Sequence, residues 1–578
     1  MIPLQQLNSL DAAQFASALG AIYEHSPWVP DRVAALRPFA TLRALHAAMS
    51  QAVAQADLAT QLALIRAHPE LAGKAAIRGD LTPESTSEQK GAGLASCTPQ
   101  QYAQLQTLNA AYNQRFGFPF ILAVKGHTPD SVIAELAQRV EHDVEREREV
   151  ALQQIGRIAR FRLGDLVAEA PGDELLSMAD ELAQYSEDSG GLTCSYLTPT
   201  HRATALQIRD YMLAAGLEVR IDAVGNVVGV LHGDGTNPRR LLTGSHFDTV
   251  INGGRYDGRL GILLPVIVAG ALRRAGRRLP YTLEIVAFAE EEGVRFKSTF
   301  LGSRALAGEF APALLDSVDA AGITMRAAMQ DAGLDSAHIP AIARDPATLL
   351  GYVELHIEQG PVLLNEGHAV GVVSSIAGSL RSLVTVTGLA GHSGTVPMPL
   401  RHDAAAGAAE IVLAVERRCG GTPGLVGTVG RLEVPGGAIN VIPGRCELSI
   451  DIRAGVDAVR DLAYADVTAQ IGEIAARRGL EIEQRKVLEV ASVACAPFLQ
   501  QSLAASGARV TGQPVRVLPS GAGHDAMMMA RITPVGMLFV RCGNGGISHH
   551  PDETCSAADA GVAAEVLKDF LLNFQVPE

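Results

Sequence analysis

Near residue 165 the hydrophobic pattern of this 578-residue chain changes period, and that change limits the folds open to it. Before the change, apolar residues recur every three or four positions: Phe15, Leu19, Ile22 and Tyr23; Leu58, Leu62 and Ile65; Tyr102, Leu105, Leu108, Tyr112 and Phe116. Val132, Leu136 and Val140, then Leu152, Ile155 and Ile158, carry the pattern up to the boundary. Such spacing lines one face of a helix, so residues 1–165 are expected to form an all-α helical bundle. After the change, the β-rich runs "RRLLTGSH", "YTLEIVAFAEEEG" and "GYVELHIEQG" are separated by helical stretches. That is the α/β pattern in which sites lie at the carboxyl ends of strands. Pro171-Gly172 interrupt the helical pattern where the charge changes sign, which places a linker near residues 163–174.

The length exceeds what one hydrophobic core supports, so a multidomain chain of about three units is expected. A net charge of -14 without a basic tract argues against a nucleic-acid partner. No apolar run approaches the roughly 20 residues that span a bilayer, so no membrane partner is expected. The start, MIPLQQLNSLDAAQF, has neither a basic n-region nor a cleavage site, and the seven cysteines form no CxxC pair. Both point to a cytoplasmic protein with reduced thiols.

Three stretches of the helical segment are not explained by packing. "RAHPELAGK" sets His68 before Pro69, where a helix must stop, so an imidazole is expected at a helix end. "TPESTSEQKGAG" begins with a cap-like Thr82-Pro83 and puts Ser85 and Glu88 three apart on one helical face, followed by Gln89. "FGFPFI", from Phe116 to Ile121, is an aromatic strip too irregular for a helix interior. Alone, each is a capping residue, a solvated turn or a piece of core. In this order, and followed by "ALQQIGRIARFRL", they resemble the 2-oxo-4-hydroxy-4-carboxy-5-ureidoimidazoline (OHCU) decarboxylases, cofactor-free helical enzymes of urate breakdown. The resemblance implies that His68 and Glu88 are the catalytic pair and that Ser85, Gln89 and the backbone near Phe120 and Ile121 hold the substrate. Histidine suits such a site, because loss of carbon dioxide leaves an electron-rich carbon that must gain a proton. Glu88 is expected either to hold the imidazole tautomer or to contact the substrate. His142 stands where the family pattern has asparagine, so its helix is left out of the site.

Metal-ligand residue types gather in the second segment. "GSHFDTV" supplies His246 and Asp248, "GGRYDGRLG" supplies Asp257, and "AFAEEEGVRF" supplies Glu290, Glu291 and Glu292. His356 lies in "ELHIEQG" and His549 in "GISHHPDE". Imidazoles and carboxylates in this number suit two divalent ions sharing one aspartate. With "GHSGTVPM" and "NVIPG", these motifs resemble the ureidohydrolase branch of the aminoacylase and carboxypeptidase-type dinuclear metallohydrolases: allantoate amidohydrolase, N-carbamoyl-L-amino-acid hydrolase and β-ureidopropionase.

The resemblance implies one ion on His246, Asp257 and His356 and another on Asp257, Glu292 and His549. It makes Glu291 the general base, Glu290 a spare side chain expected to face solvent, and Asp248 the residue that orients His246. Manganese or zinc suits the ligands, and no cofactor is expected in the first half. The catalytic unit would comprise 175–376 and 489–578, interrupted at 377–488 by an α+β lid and dimerisation domain in which Cys446, Leu448, Ile450 and Ile452 alternate with polar residues. From the lid, His392 of a second subunit would steady the developing oxyanion. Gln359, Asn440 and Arg453 would bind a small ureide, the Arg453 fork suiting a carboxylate. A homodimer follows from that arrangement. Because the first segment looks like a source of allantoin, allantoate is the expected substrate of the second. The alternatives are another N-carbamoyl compound, or a half that serves only as a scaffold. No candidate residue of one segment serves the other, so the two activities are expected to be separable.

Overall fold

The computed structural model describes residues 1–73 and 81–575. Up to Leu166 the regular structure of the described residues is helical apart from the two-residue strand Ile2–Pro3, which pairs in parallel with Val167–Ala168 just past the helices. Helix starts follow a repeated local code. Thr82, Thr98, Thr128 and Thr198 each precede a proline at the first helical position, and each hydroxyl accepts a backbone N–H of the first turn. The threonine satisfies an otherwise orphaned donor, and the proline fixes a helical φ where no N–H is needed. The helix Leu58–Ala67 ends where Pro69 demands, with His68 as its C-cap. The helix Pro99–Phe116 stops at Gly117, whose φ of 73° is left-handed, and the aromatic strip then runs on without regular structure. Tyr112 packs against Phe116, Phe118 and Phe120. The helix Val144–Leu166 closes the unit.

The second unit is built on a mixed sheet of nine strands. Four central strands run parallel and adjacent: Val535–Val540, Leu349–Ile357, Arg240–His246 and Thr282–Phe288. Antiparallel strands flank them on both sides. The helices Leu260–Arg274 and Ala557–Asn573 join the core on one side of this sheet. All three runs expected to be strands are strands, and each is buried nearly throughout, as parallel strands covered on both faces must be.

Between Ile376 and Val493 the chain leaves this sheet to form a second, antiparallel one, ordered Leu425–Thr428, Arg445–Ala454, Gly378–Thr387, Glu481–Val490. Its buried side chains, Cys446, Leu448, Ile450 and Ile452 among them, pack with residues of the helices Ala404–Gly420 and Asp457–Arg478. Period-two alternation in the sequence is realised here as one dry and one wet face.

Residues 163–174 hold the end of the long helix, the strand Val167–Ala168 and the first turn of the helix Pro171–Leu182. Gly172 in that turn meets the helix Ala557–Asn573 so closely that a Cβ would lie 1.8 Å from the carbonyl oxygen of Ala557. Gly172→Ala is therefore expected to destabilise the second unit by about 1–3 kcal/mol, the usual scale of overpacking. Gly164→Ala, where a Cβ meets nothing within 4 Å, is expected to be neutral or stabilising. Thermal unfolding of the two variants checks the contrast.

Candidate active sites

In the helical unit, the residues singled out from the sequence converge on one small cavity. His68, Ser85, Glu88, Gln89, Phe120 and Ile121 all line it, together with Leu122, Val124, Ile158 and Arg162. His68 is only 6% exposed. Its Nδ1 lies 3.0 Å from the Leu64 carbonyl. A carbonyl can only accept, so Nδ1 carries the proton and Nε2 is the free nitrogen. Burial moves the imidazole below its ordinary range, against the opposing pull of Glu24.

Arg162, which the sequence reading did not single out, organises the rest. Its guanidinium grips both oxygens of Glu88 at 2.8 and 3.0 Å, reaches Glu24 at 2.8 Å, and donates to the Ser85 hydroxyl at 3.2 Å and to the Ala21 carbonyl. Of the two roles open to Glu88, setting the imidazole tautomer is thus taken by Leu64. The Ile121 carbonyl is engaged by Arg139 at 2.8 Å, and the Gln89 side-chain oxygen accepts from the Ala72 N–H at 3.0 Å. His142 pairs with the buried Glu147, which also binds Arg139 and Tyr112, and takes no part in lining the cavity.

In the second unit, the carboxyl ends of three adjacent parallel strands deliver the cluster, with His549 arriving from the loop beyond the fourth. His246 ends one strand, the glutamates follow the next, and His356 lies one residue from the end of a third. Asp257 sits among them. Its Oδ1 lies 3.2 Å from His356 Nε2 and 3.7 Å from His246 Nε2, while its Oδ2 lies 3.2 Å from His549 Nε2. Glu292 is 3.6 Å from His549. Donor atoms of His246, Asp257 and His356 lie within 4.8 Å of one another, as do those of Asp257, Glu292 and His549, and those of His246, Glu291 and Glu292. One carboxylate therefore faces two sets of ligands.

Electrostatics favour cations there. Burial and neighbouring carboxylates push Glu292 up to about 7 and Glu291 well above the usual carboxylate range. No lysine or arginine pairs with Asp257, Glu290, Glu291 or Glu292 among the described residues. Buried like charges without a counter-ion are costly. The donor set fits two divalent ions bridged by Asp257.

Asp248 does more than back His246. Its carboxylate is 3.3 Å from His246 Nδ1 and also accepts the backbone N–H groups of Glu291 and Glu292 at 3.0 and 3.1 Å, which fixes the register of the glutamate turn. The expectation that Glu290 faces solvent is corrected: it is 1% exposed. The carbonyls of Glu290 and Glu291 accept from Gly302 and Phe300, so the segment 300–302 lies against the glutamate turn. Gln359 donates to Asp257 Oδ2 at 3.0 Å, and both Gln359 and His549 hold positive φ, at 55° and 54°. Such strain is characteristic of residues aimed at a site.

In the inserted segment, a separate two-stranded sheet pairs exposed His392 with Val441, which sets Asn440 beside it. Arg453 binds Asp451 and donates to the Gly521 carbonyl at 2.9 Å. None of His392, Asn440 and Arg453 bonds to the cluster of its own chain among the described residues.

Two supports escaped the sequence reading. Glu553, 2% exposed, accepts the backbone N–H groups of Tyr256 and Asp257 at 2.9 and 3.1 Å and the Ser548 hydroxyl at 2.7 Å. It thereby ties the loop of Asp257 to the loop of His549. Behind His356, His524 packs ring to ring at 4.5 Å and shares a hydrogen bond with Ser520. Glu354 accepts from Ser245 and from the Ala526 N–H. A signal for this second support was present in "GAGHDAM", another His-Asp pair in a glycine-rich loop.

These features are those of a metal-dependent amidohydrolase joined to a helical enzyme, and comparison with known proteins agrees. Residues 242–573 match peptidase family M20/M25/M40, and residues 8–164 match OHCU decarboxylase. The chain is 41% identical over 399 residues to an N-carbamoyl-L-amino acid amidohydrolase of Geobacillus stearothermophilus, covering 68% of this chain and 97% of that protein. It is 39% identical over 429 residues to an allantoate deiminase of Arabidopsis thaliana, covering 69% and 82%. The crystal structure of an amidase of the hydantoinase/carbamoylase family from Burkholderia multivorans superposes with a TM-score of 0.65 at 34% identity, over 69% of this chain and 97% of that one. The chain belongs to peptidase family M20/M25/M40, with an OHCU decarboxylase domain ahead of it.

The Glu553 tie generates a prediction. Glu553→Ala should weaken divalent-metal affinity by about 10- to 100-fold, the scale of outer-shell supports, because the Asp257 and His549 loops lose their common anchor. Equilibrium dialysis with manganese measures this directly, and wild-type affinity in a folded variant would show that the tie does not hold the ligands.

Proposed function

We propose that the chain is a bifunctional enzyme of purine catabolism, acting on urate-derived ureides. Residues 1–165 would decarboxylate OHCU to (S)-allantoin. Residues 175–376 and 489–578 would hydrolyse allantoate to ureidoglycine, ammonia and carbon dioxide, with 377–488 as a lid and dimerisation domain. The observation that carries this reading is the fusion itself: a ureide-forming domain joined to a family whose relatives include an allantoate deiminase. Hydrolysis of the allantoin ring lies between the two products and belongs to another protein. The Geobacillus relative's name supports a second reading, hydrolysis of N-carbamoyl-L-amino acids. The decarboxylase domain weighs against it.

In the first cavity, Arg162 holds Glu88 and Ser85 in place, and His68 presents Nε2 to the substrate. As carbon dioxide leaves, its bonding pair stays on the substrate; the free Nε2 of His68 would take the proton of the substrate hydroxyl and return it to the electron-rich carbon on one face. Glu88 and Gln89 orient the substrate, and Phe120 and Ile121 shut out water.

In the second site, His246, Asp257 and His356 would hold one divalent ion and Asp257, Glu292 and His549 the other, manganese and zinc both suiting the ligands. Bound ions supply Lewis-acid polarisation of the scissile carbonyl and acidify the attacking water. Glu291 takes the water proton and returns it to the departing nitrogen. Gln359 positions the Asp257 carboxylate and the incoming amide. Arg453 and Asn440 bind the substrate carboxylate, and His392 reaches in from a second copy of the chain to steady the developing negative charge. A dimer through the inserted domain accounts for the apolar side chains it leaves exposed, among them Leu389, Met398, Leu400, Leu432 and Ile439.

Two assays on the full chain test this. After treatment with a chelator, OHCU decarboxylation should persist while ammonia release from allantoate stops and returns with manganese or zinc. Glu291→Gln should slow ammonia release by roughly 100-fold or more, the scale of general-base catalysis, with decarboxylation untouched. Release of ammonia from N-carbamoyl amino acids but not from allantoate would select the second reading.

A further inference from the structure

The helix Val144–Leu166 serves both units. Arg162 reaches from it into the first cavity, while Arg160, two residues earlier and so on nearly the opposite face, turns to the second unit. There Arg160 pairs with Glu181 at 3.1 Å and lies over the ring of Tyr211, 4.7 Å from its centre. Arg157 binds Asp210 at 2.9 Å, and Asp165 accepts from Arg273 at 2.7 Å. Glu181 also pairs with Arg43 and accepts the Tyr211 hydroxyl.

A second contact goes deeper. Leu213, near the end of the helix Pro199–Ala215, is 6% exposed and packs in the hydrophobic core of the first unit rather than its own. Gly126 makes room for it: with φ at 83°, it lies where a Cβ would come within 2.4 Å of Leu213 Cδ2. Beside it, Lys125 donates to the Ala214 carbonyl at 3.1 Å. Lys125 and Gly126 directly follow the strip Phe120–Val124, of which Phe120, Ile121, Leu122 and Val124 line the cavity together with Arg162. The second unit therefore backs both segments that build the first site.

We infer that the helix Pro199–Ala215 of the amidohydrolase unit is a positioning element of the decarboxylase site, setting the placement of Arg162 and of the Phe120–Val124 strip although none of its residues lines the cavity. Arg162 transmits the effect because it bonds at once to Glu24, Ser85 and Glu88. A shift of its helix moves all three. Displacements of about 1 Å at remote positions cost up to about 100-fold in rate. The two activities are thus separate in chemistry but not in structure. The inference rests on the reading of the first cavity as a decarboxylase.

The test uses the full chain carrying Asp210→Arg and Leu213→Ala together. The inference predicts a decarboxylation kcat lower by about 10-fold, with ammonia release from the second site unchanged. Adding Arg157→Asp, which restores an ion pair of reversed polarity, should recover part of the loss. General unfolding would depress both reactions and would not be rescued. A doubly substituted chain that decarboxylates at the wild-type rate overturns the inference, as does an equal loss in both reactions. A wild-type chain with no decarboxylase activity would instead sink the reading of the cavity.

Discussion

Asp257 is the point on which the second unit is built. One buried carboxylate must face two sets of ligands, so the chain around it is constrained on every side. Gly258 follows it with φ at 65°, where a Cβ would strike the His246 ring at 2.5 Å. Glu553 holds the Asp257 N–H from below, and its carboxylate lies 2.1 Å from where a Cβ on Gly254 would be. Asp248 holds the glutamate turn opposite. The four central strands bring these loops to one end of the sheet, where bound cations would relieve the crowding of the carboxylates.

The helical unit solves the same electrostatic problem differently. Buried Glu24 and half-buried Glu88 share the Arg162 guanidinium of the same unit, and buried Glu147 pairs with Arg139. The carboxylates are held by side chains of the protein, with one guanidinium shared between two of them beside a buried imidazole. The two units thus hold their carboxylates in different ways, one with arginines and the other with histidines and the donor sets around Asp257.

Much of this was legible in the sequence because the signals are local. Period-two alternation over Cys446–Ile452 and the apolar runs ending in His246 and in the glutamates lie within single elements. His68 was marked by the proline that follows it. What escaped were residues whose meaning depends on distant partners. Arg162 stands in an ordinary basic helix end, and only its approach to Glu24, 138 positions earlier, makes it part of a site. Glu553 lies 296 positions from the N–H of Asp257 that it accepts. Glu290 was misjudged for the same reason: the three glutamates are alike in sequence, and the segment bonded to their turn begins nine or ten residues later. Leu213 reads as one more apolar helix position, and nothing local reveals that it belongs to the core of another unit.

The central claim is that the crowded carboxylates exist to hold two cations that share Asp257. Crystals grown with manganese and measured near its absorption edge test it most directly. The account predicts two anomalous peaks about 3.5–4 Å apart, one beside His246 and His356, the other beside Glu292 and His549, with Asp257 between them. A single peak, or two peaks not bridged by Asp257, would contradict it.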